Sequence, residues 1–155
     1  MAARGPTGRE TTGASASPQI ALIYLLDSGP LGRLVDGDQL LAGRLRRYGR
    51  AGDVLGAPPA VRAEMFAAVW SDRRRRTRLH QVLSGFAGDT ETAEDGRRAG
   101  EILGRLRSRR NDVSLVDAML AAVAERFSAI VLTDDIGDFG RMRDEAGSRA
   151  VYLAV

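Results

Sequence analysis

The stretch AIVLTDDIGDF, residues 129–139, decides how this chain is read. Its first five residues form an apolar, partly β-branched run of strand length, and the run ends in three carboxylates, Asp134, Asp135 and Asp138. Residues 20–26, IALIYLL, repeat that arrangement, an apolar run that stops at Asp27. Continuous apolar runs of this length, bounded by turn residues, are the pattern of strands buried on both faces of a parallel sheet. DVLGAPP (53–59) is a weaker strand candidate, and AVYLAV (150–155) supplies a further one at the end of the chain.

Helical segments separate these runs. DSGPLGRLVD (27–36) turns into a short helix with Pro30 in its first turn, and residues 38–48 repeat Leu and Arg at helical spacing. The prolines at 58 and 59 start a helix over 60–70, where Phe66 and Trp70 are expected to pack in the core. SDRRRRTRLHQVLSGF (71–86) continues as a helix or a turn-separated extension, with His80 on its surface. Residues 89–110 are acidic at their start and basic at their end, matching a helix dipole. SLVDAMLAAVAERF (114–127) is the best-defined helix, with Ser114 as N-cap and Asp117 in the capping-box position. Strands alternating with helices predict one three-layer α/β/α domain over 19–155, built on an open, mainly parallel sheet. Residues 1–18 are small, polar and broken by Gly and Pro, and are expected to be a flexible tail.

Composition narrows the chemistry. With 155 residues, 44% of them apolar, the chain is long enough to bury a core. There is no cysteine, which removes disulfides and thiolate metal sites, and a single histidine, which removes any multi-His centre. All 23 basic residues are arginine. Without lysine there is no P-loop phosphate ligand and no Schiff-base amine. The same absence sets aside an aspartyl-phosphate receiver domain, which also gathers acids at strand ends. A metal here would need oxygen ligands, and those suit magnesium or manganese. The formal charge of +3 permits a nucleic-acid partner without demanding one. IALIYLL is too short to span a bilayer, so the expected location is the cytoplasm, with no membrane partner.

In open parallel sheets ligands sit beyond the carboxyl ends of the strands. Asp27 and Asp135 end strands there, while Glu64 and Asp117 are expected in the first turns of helices, where the dipole stabilises a carboxylate. Singly, each acid reads as a cap or a surface charge. Together they would repel one another, and a divalent cation relieves such crowding.

IYLLDSGPL, VRAEMF, SLVDAMLAAVA and IVLTDDIGDFGRM, in that order and spacing, resemble the PIN-domain ribonucleases, particularly the VapC-type toxins of bacterial toxin–antitoxin pairs. The resemblance runs from about residue 20 to the end of the chain. It implies an Mg2+- or Mn2+-dependent endoribonuclease whose four acids fall on Asp27, Glu64, Asp117 and Asp135. Asp27, Asp117 and Asp135 would be metal ligands, and Glu64 a ligand through water or a base. Ser28, Thr133 and Asp138 match accessory positions, and Asp134 falls where the family is variable and often basic. One departure is Gly29, which stands where a small polar residue is usual. The resemblance also implies an antitoxin partner, and a homodimer is the default in the family. Two arginine clusters could contact RNA, 73–78 and 105–110. Arg109 and Arg110, beside the Asp117 segment, are the expected substrate contacts. A PIN-like module that binds RNA or protein without cutting is the alternative, disfavoured because all four acids are present.

Overall fold

A computed structural model describes residues 20–88, 91–110 and 112–155. The expected tail lies outside the described residues, as do positions 89, 90 and 111 within and just beyond the expected 89–110 helix. In chain order the elements are β1 (Ile23–Leu26), α1 (Ser28–Val35), α2 (Gln39–Arg50), β2 (Val54–Gly56), α3 (Pro59–Ala68), α4 (Arg73–Leu83), α5 (Ala93–Ser108), α6 (Leu115–Phe127), β3 (Ile130–Thr133), α7 (Ile136–Ala146) and β4 (Val151–Ala154). The four strands form one parallel sheet in the order β2-β1-β3-β4.

The two central strands explain the layering. Tyr24, Leu25 and Leu26 of β1, and Val131, Leu132 and Thr133 of β3, are buried at successive positions. Successive strand residues point to opposite faces, so both faces of the sheet are covered. Leu25 pairs with Val131 and Leu26 with Leu132, and the Asp27 N–H continues the ladder to the Leu132 carbonyl at 3.0 Å. Leu120, Phe139 and Met142 complete the centre of the core from α6 and α7.

The strand order carries the functional consequence. From β1 the chain goes to one side for β2 and then to the other for β3, so the sheet has its topological switch point between β1 and β3. Asp27 follows the first of these strands and Asp134 and Asp135 follow the second. A crevice opens where the two connections diverge.

Several expectations are corrected. The first strand is shorter than its apolar run, because Ile20 and Leu22 are exposed before the sheet begins. The basic segment 71–86 needs no correction, since it takes the helix alternative over Arg73–Leu83, capped by the Asp72 carboxylate on the Arg75 N–H. Trp70 is not core: it lies beyond the end of α3, 71% exposed, with the Arg76 guanidinium over its ring. Helix α7 was not anticipated, although Ile136, Phe139, Met142 and Ala146 recur at helical spacing after Asp135.

Candidate active site

The crevice at the switch point is a cleft of about 630 Å³, and all four expected acids, Asp27, Glu64, Asp117 and Asp135, line it. Ser28, Gly29, Ser114 and Asp134 complete its polar wall, and Ile136 and Gly137 its rim on α7.

Each acid is placed by local structure. Asp27 leaves β1 and caps α1, its Oδ1 accepting the Ser28 N–H at 2.6 Å. Its Oδ2 accepts the hydroxyl of fully buried Thr133 at 2.7 Å. The same Thr133 oxygen accepts the Asp135 N–H at 2.9 Å, so one hydroxyl ties the ends of β1 and β3 together. Asp135 in turn caps α7, accepting the Asp138 N–H at 3.0 Å. Asp117 sits in the first turn of α6, where the Ser114 hydroxyl accepts its N–H (3.0 Å) and donates to its carboxylate (2.7 Å). Glu64 differs from expectation. It lies in the middle of α3, which has no acid in its first turn, so the helix N-terminus does not account for it. Val61 and Met65 bury the neighbouring face, leaving Glu64 exposed towards the cleft.

The departure at Gly29 has a structural counterpart. A Cβ there would come within 3.1 Å of the Asp134 carboxylate, which lies against this glycine. Arg33 holds that carboxylate from the other side at 2.8 Å and also pairs with Asp38. Asp27 is therefore oriented by Thr133 across the sheet and by its own helix, with no help from position 29. Asp138 pairs with Arg141 and does not line the cleft. Arg109 and Arg110 are exposed at the end of α5 and are not among the cleft's lining residues.

Electrostatics single out the two most enclosed acids. Burial pushes the Asp27 carboxyl above its ordinary range, partly offset by Thr133 and Ser28, and Glu64 and Asp135 push it further. Burial likewise raises Asp117, with Asp27, Glu64 and Asp135 adding to the effect against the Ser114 hydrogen bond. Among the described residues, no arginine forms an ion pair with any of the four acids. Nor are three acids already drawn together as a finished ligand set among the described residues. The donor set is nevertheless one that suits a hard divalent cation: several carboxylates, mutually repelling, with no positive partner.

A parallel α/β domain with carboxylates lining the crevice at its switch point is the class that fold and cleft define. A family model for the PIN domain matches residues 24–145, and the chain belongs to the PIN-domain family. The fold is similar to that of VapBC2 from Rickettsia felis, solved on a promoter DNA fragment, with a TM-score of 0.75 and 16% identity over 86% of this chain and 99% of that one. It is similar also to DNA-bound VapBC from Salmonella typhimurium, with a TM-score of 0.70 and 14% identity over 86% and 98%. Mycobacterium tuberculosis VapC20, a toxin that cleaves the sarcin–ricin loop, has a TM-score of 0.53 and 17% identity over 70% and 86%. A search among curated proteins finds no match to the sequence.

Proposed function

We propose that the protein is a metal-dependent endoribonuclease that hydrolyses phosphodiester bonds in RNA, and the toxin of a bacterial toxin–antitoxin pair. One observation carries the reading. In a chain with 23 arginines, the four acids of the switch-point cleft have no arginine partner among the described residues. Membership of the PIN family and the likeness to VapBC folds support it.

Asp27, Asp117 and Asp135 are the residues that would hold Mg2+ or Mn2+, which when bound supplies an activated water and neutralises charge developing on the phosphate. The protein's own groups do the rest. Thr133 holds Asp27 in one orientation and fixes the backbone of Asp135 beside it. Ser114 holds Asp117 in the same way. Glu64, exposed on α3, is free to accept a proton or to orient a water. Ser28 stands on the cleft wall, where it can donate to a phosphate oxygen. Asp138 acts through the cap of α7, and Arg109 and Arg110 are assigned to more distant parts of the substrate. The partners in this reading are RNA, a cognate antitoxin and a second copy of the chain, in the cytoplasm.

The test is cleavage of single-stranded RNA by protein freed of antitoxin. Cutting should require magnesium or manganese, stop with EDTA, and disappear in Asp27→Ala and Asp135→Ala. Salt-sensitive RNA binding without cleavage at any metal concentration would instead support the non-cutting module. Cleavage that persists in EDTA would remove the metal from the mechanism.

A further inference from the structure

Helix α4 carries the densest positive charge in the chain, and the chemistry of the acid cleft leaves it unused. It opens with Arg73, Arg74, Arg75 and Arg76 and has no acid in its first turn. That is the positive end of the helix dipole, where cations cost stability. Elsewhere the chain follows the rule, with Arg47 and Arg50 in the last turn of α2 and Arg105 and Arg107 in that of α5. A local conflict of this kind marks a position held for another purpose.

Arg73, Arg74, Arg75 and Arg78 line a cleft of about 570 Å³ whose other wall includes Val35 and Asp36, where α1 ends. Arg75 is held there by Asp36, with contacts of 2.9 and 3.0 Å. The Arg78 guanidinium reaches over Gly37, which turns the chain out of α1 with φ +95°, and a Cβ there would lie 3.7 Å from its terminal nitrogen. Arg73, Arg74 and Arg78 are exposed and have no carboxylate partner among the described residues. The cleft thus sets four guanidinium groups against one carboxylate.

Helix α1 joins this cleft to the acid cleft. Its cap Asp27 and residue Gly29 line the one, and Val35 and Asp36 line the other. Gly29, Gly32 and Asp36 recur at i, i+3 and i+7, a single face of the helix, and two of the three have no side chain. On that face the Asp134 carboxylate lies against Gly29 and the Met65 side chain beside Gly32. At 1.5 Å per residue Gly29 and Asp36 lie about 10 Å apart along the axis. That is roughly three stacked nucleotides at about 3.4 Å each.

We infer that the α4 cleft is a second binding site for the phosphodiester backbone of single-stranded RNA, about three nucleotides from the scissile bond, in which Arg73, Arg74 and Arg78 hold the phosphates. The identity of the polyanion as RNA rests on the nuclease reading. Arginine suits the task, because its fork pairs with two phosphate oxygens and is more weakly hydrated than an ammonium.

The experiment uses full-length Asp117→Asn protein, which is not expected to cut, and a fluorescein-labelled dodecauridylate. Changing Arg73, Arg74 and Arg78 together to Gln should weaken binding at least tenfold at low salt. The slope of log affinity against log salt should fall by about 2, given about 0.7 per single-strand phosphate contact. The corresponding triple Lys variant should keep most of that slope, which separates charge from altered shape. An unchanged slope in the Gln variant, or an equal loss in the Lys variant, would overturn the site. So would competition by dodecaglutamate as strong as by unlabelled RNA, which would assign the cleft to an acidic protein segment. Cleavage by the wild type in manganese is read separately. If cleavage fails while the slope still falls, the nuclease reading is lost and the anion site stands; the reverse pattern removes the site alone.

Discussion

Two groups of enclosed acids in this molecule are treated in opposite ways. At the α5–α6 packing, Asp95 is 2% exposed and accepts from Arg126 at 2.9 Å and from Thr92 at 2.8 Å. Nearby, Glu125 accepts from Arg98, from the Ser148 hydroxyl and from the Arg149 N–H, all at 2.8 Å. Burial pushes both carboxyls up, but these donors outweigh it and hold both below their ordinary range. In the switch-point cleft, Asp27 and Asp117 are also enclosed, yet among the described residues they receive only hydroxyl and backbone donors and are raised. The chain has arginine in excess and uses it on the first group. Acids that hold the fold are neutralised internally, and acids left charged and crowded are available to something from outside.

Substitution of one acid from each group should separate the two roles most sharply. Asp135→Ala should lower cleavage by roughly 10³-fold, the scale on which removing a group that stabilises transition-state charge is felt, at a stability cost of only about 1 kcal/mol for the lost cap of α7. Glu125→Gln should do the opposite. Leaving Arg98 without its buried anion, with only the Glu101 carboxylate at 3.4 Å beside it among the described residues, should cost about 3 kcal/mol, a fall of roughly 10 °C, with cleavage per folded molecule unchanged. Kinetics and thermal melts on both variants check this, and a large stability loss in Asp135→Ala would erase the distinction.

The pH dependence of stability should carry opposite signs for the two groups. Raised carboxyls stabilise the folded state below their unfolded value near pH 3.9 and lose that contribution as pH rises through the folded value. Lowered carboxyls contribute above the ordinary range and lose that contribution as pH falls through the folded value. In EDTA, Asp117→Asn should therefore melt above the wild type at pH 7, by about 2–4 °C if the relief is on the order of 1 kcal/mol. The gain should vanish below about pH 4. Melting curves across that range decide it; a variant less stable at pH 7 would make Asp117 chiefly a structural residue of α6.

Smaller effects test the bridge and the corrected surface. Thr133→Val removes the hydroxyl shared by Asp27 and Asp135, and should cost about 1 kcal/mol and slow cleavage about tenfold. Thr133→Ser should restore both, so failure of that rescue would mean that packing, not the hydroxyl, matters. Trp70→Ala should change stability by no more than about 0.5 kcal/mol, since the ring is exposed; a loss typical of a core aromatic would reinstate the sequence-based placement.

The parallel sheet, the strand-end positions of Asp27 and Asp135 and the Ser114 cap of α6 were legible because each depends on local pattern: run length, turn residues and capping spacing. Trp70 was misplaced because helix ends are set by tertiary packing, and α3 stops before Trp70 instead of carrying it inward. Glu64 was misplaced although α3 starts where the prolines put it, because it lies beyond the first turn of that helix. Helix α7 had a readable period, but the glycines at 137 and 140 and the cluster of acids masked it.

What the sequence determined by itself is the set of groups and the order in which the chain presents them: the acids at 27, 64, 117 and 135, no lysine, no cysteine, and apolar runs short enough to be strands. Tertiary structure decided which of those groups meet. Thr133 reaches Asp27 across 106 residues of chain, Asp134 lies over Gly29 and pairs with Arg33, and Arg126 and Arg98 go to the acids of α5 and α6 rather than to the cleft. Those pairings follow from strand order and helix packing, which bring distant residues within hydrogen-bond reach. No local pattern in the chain encodes that proximity.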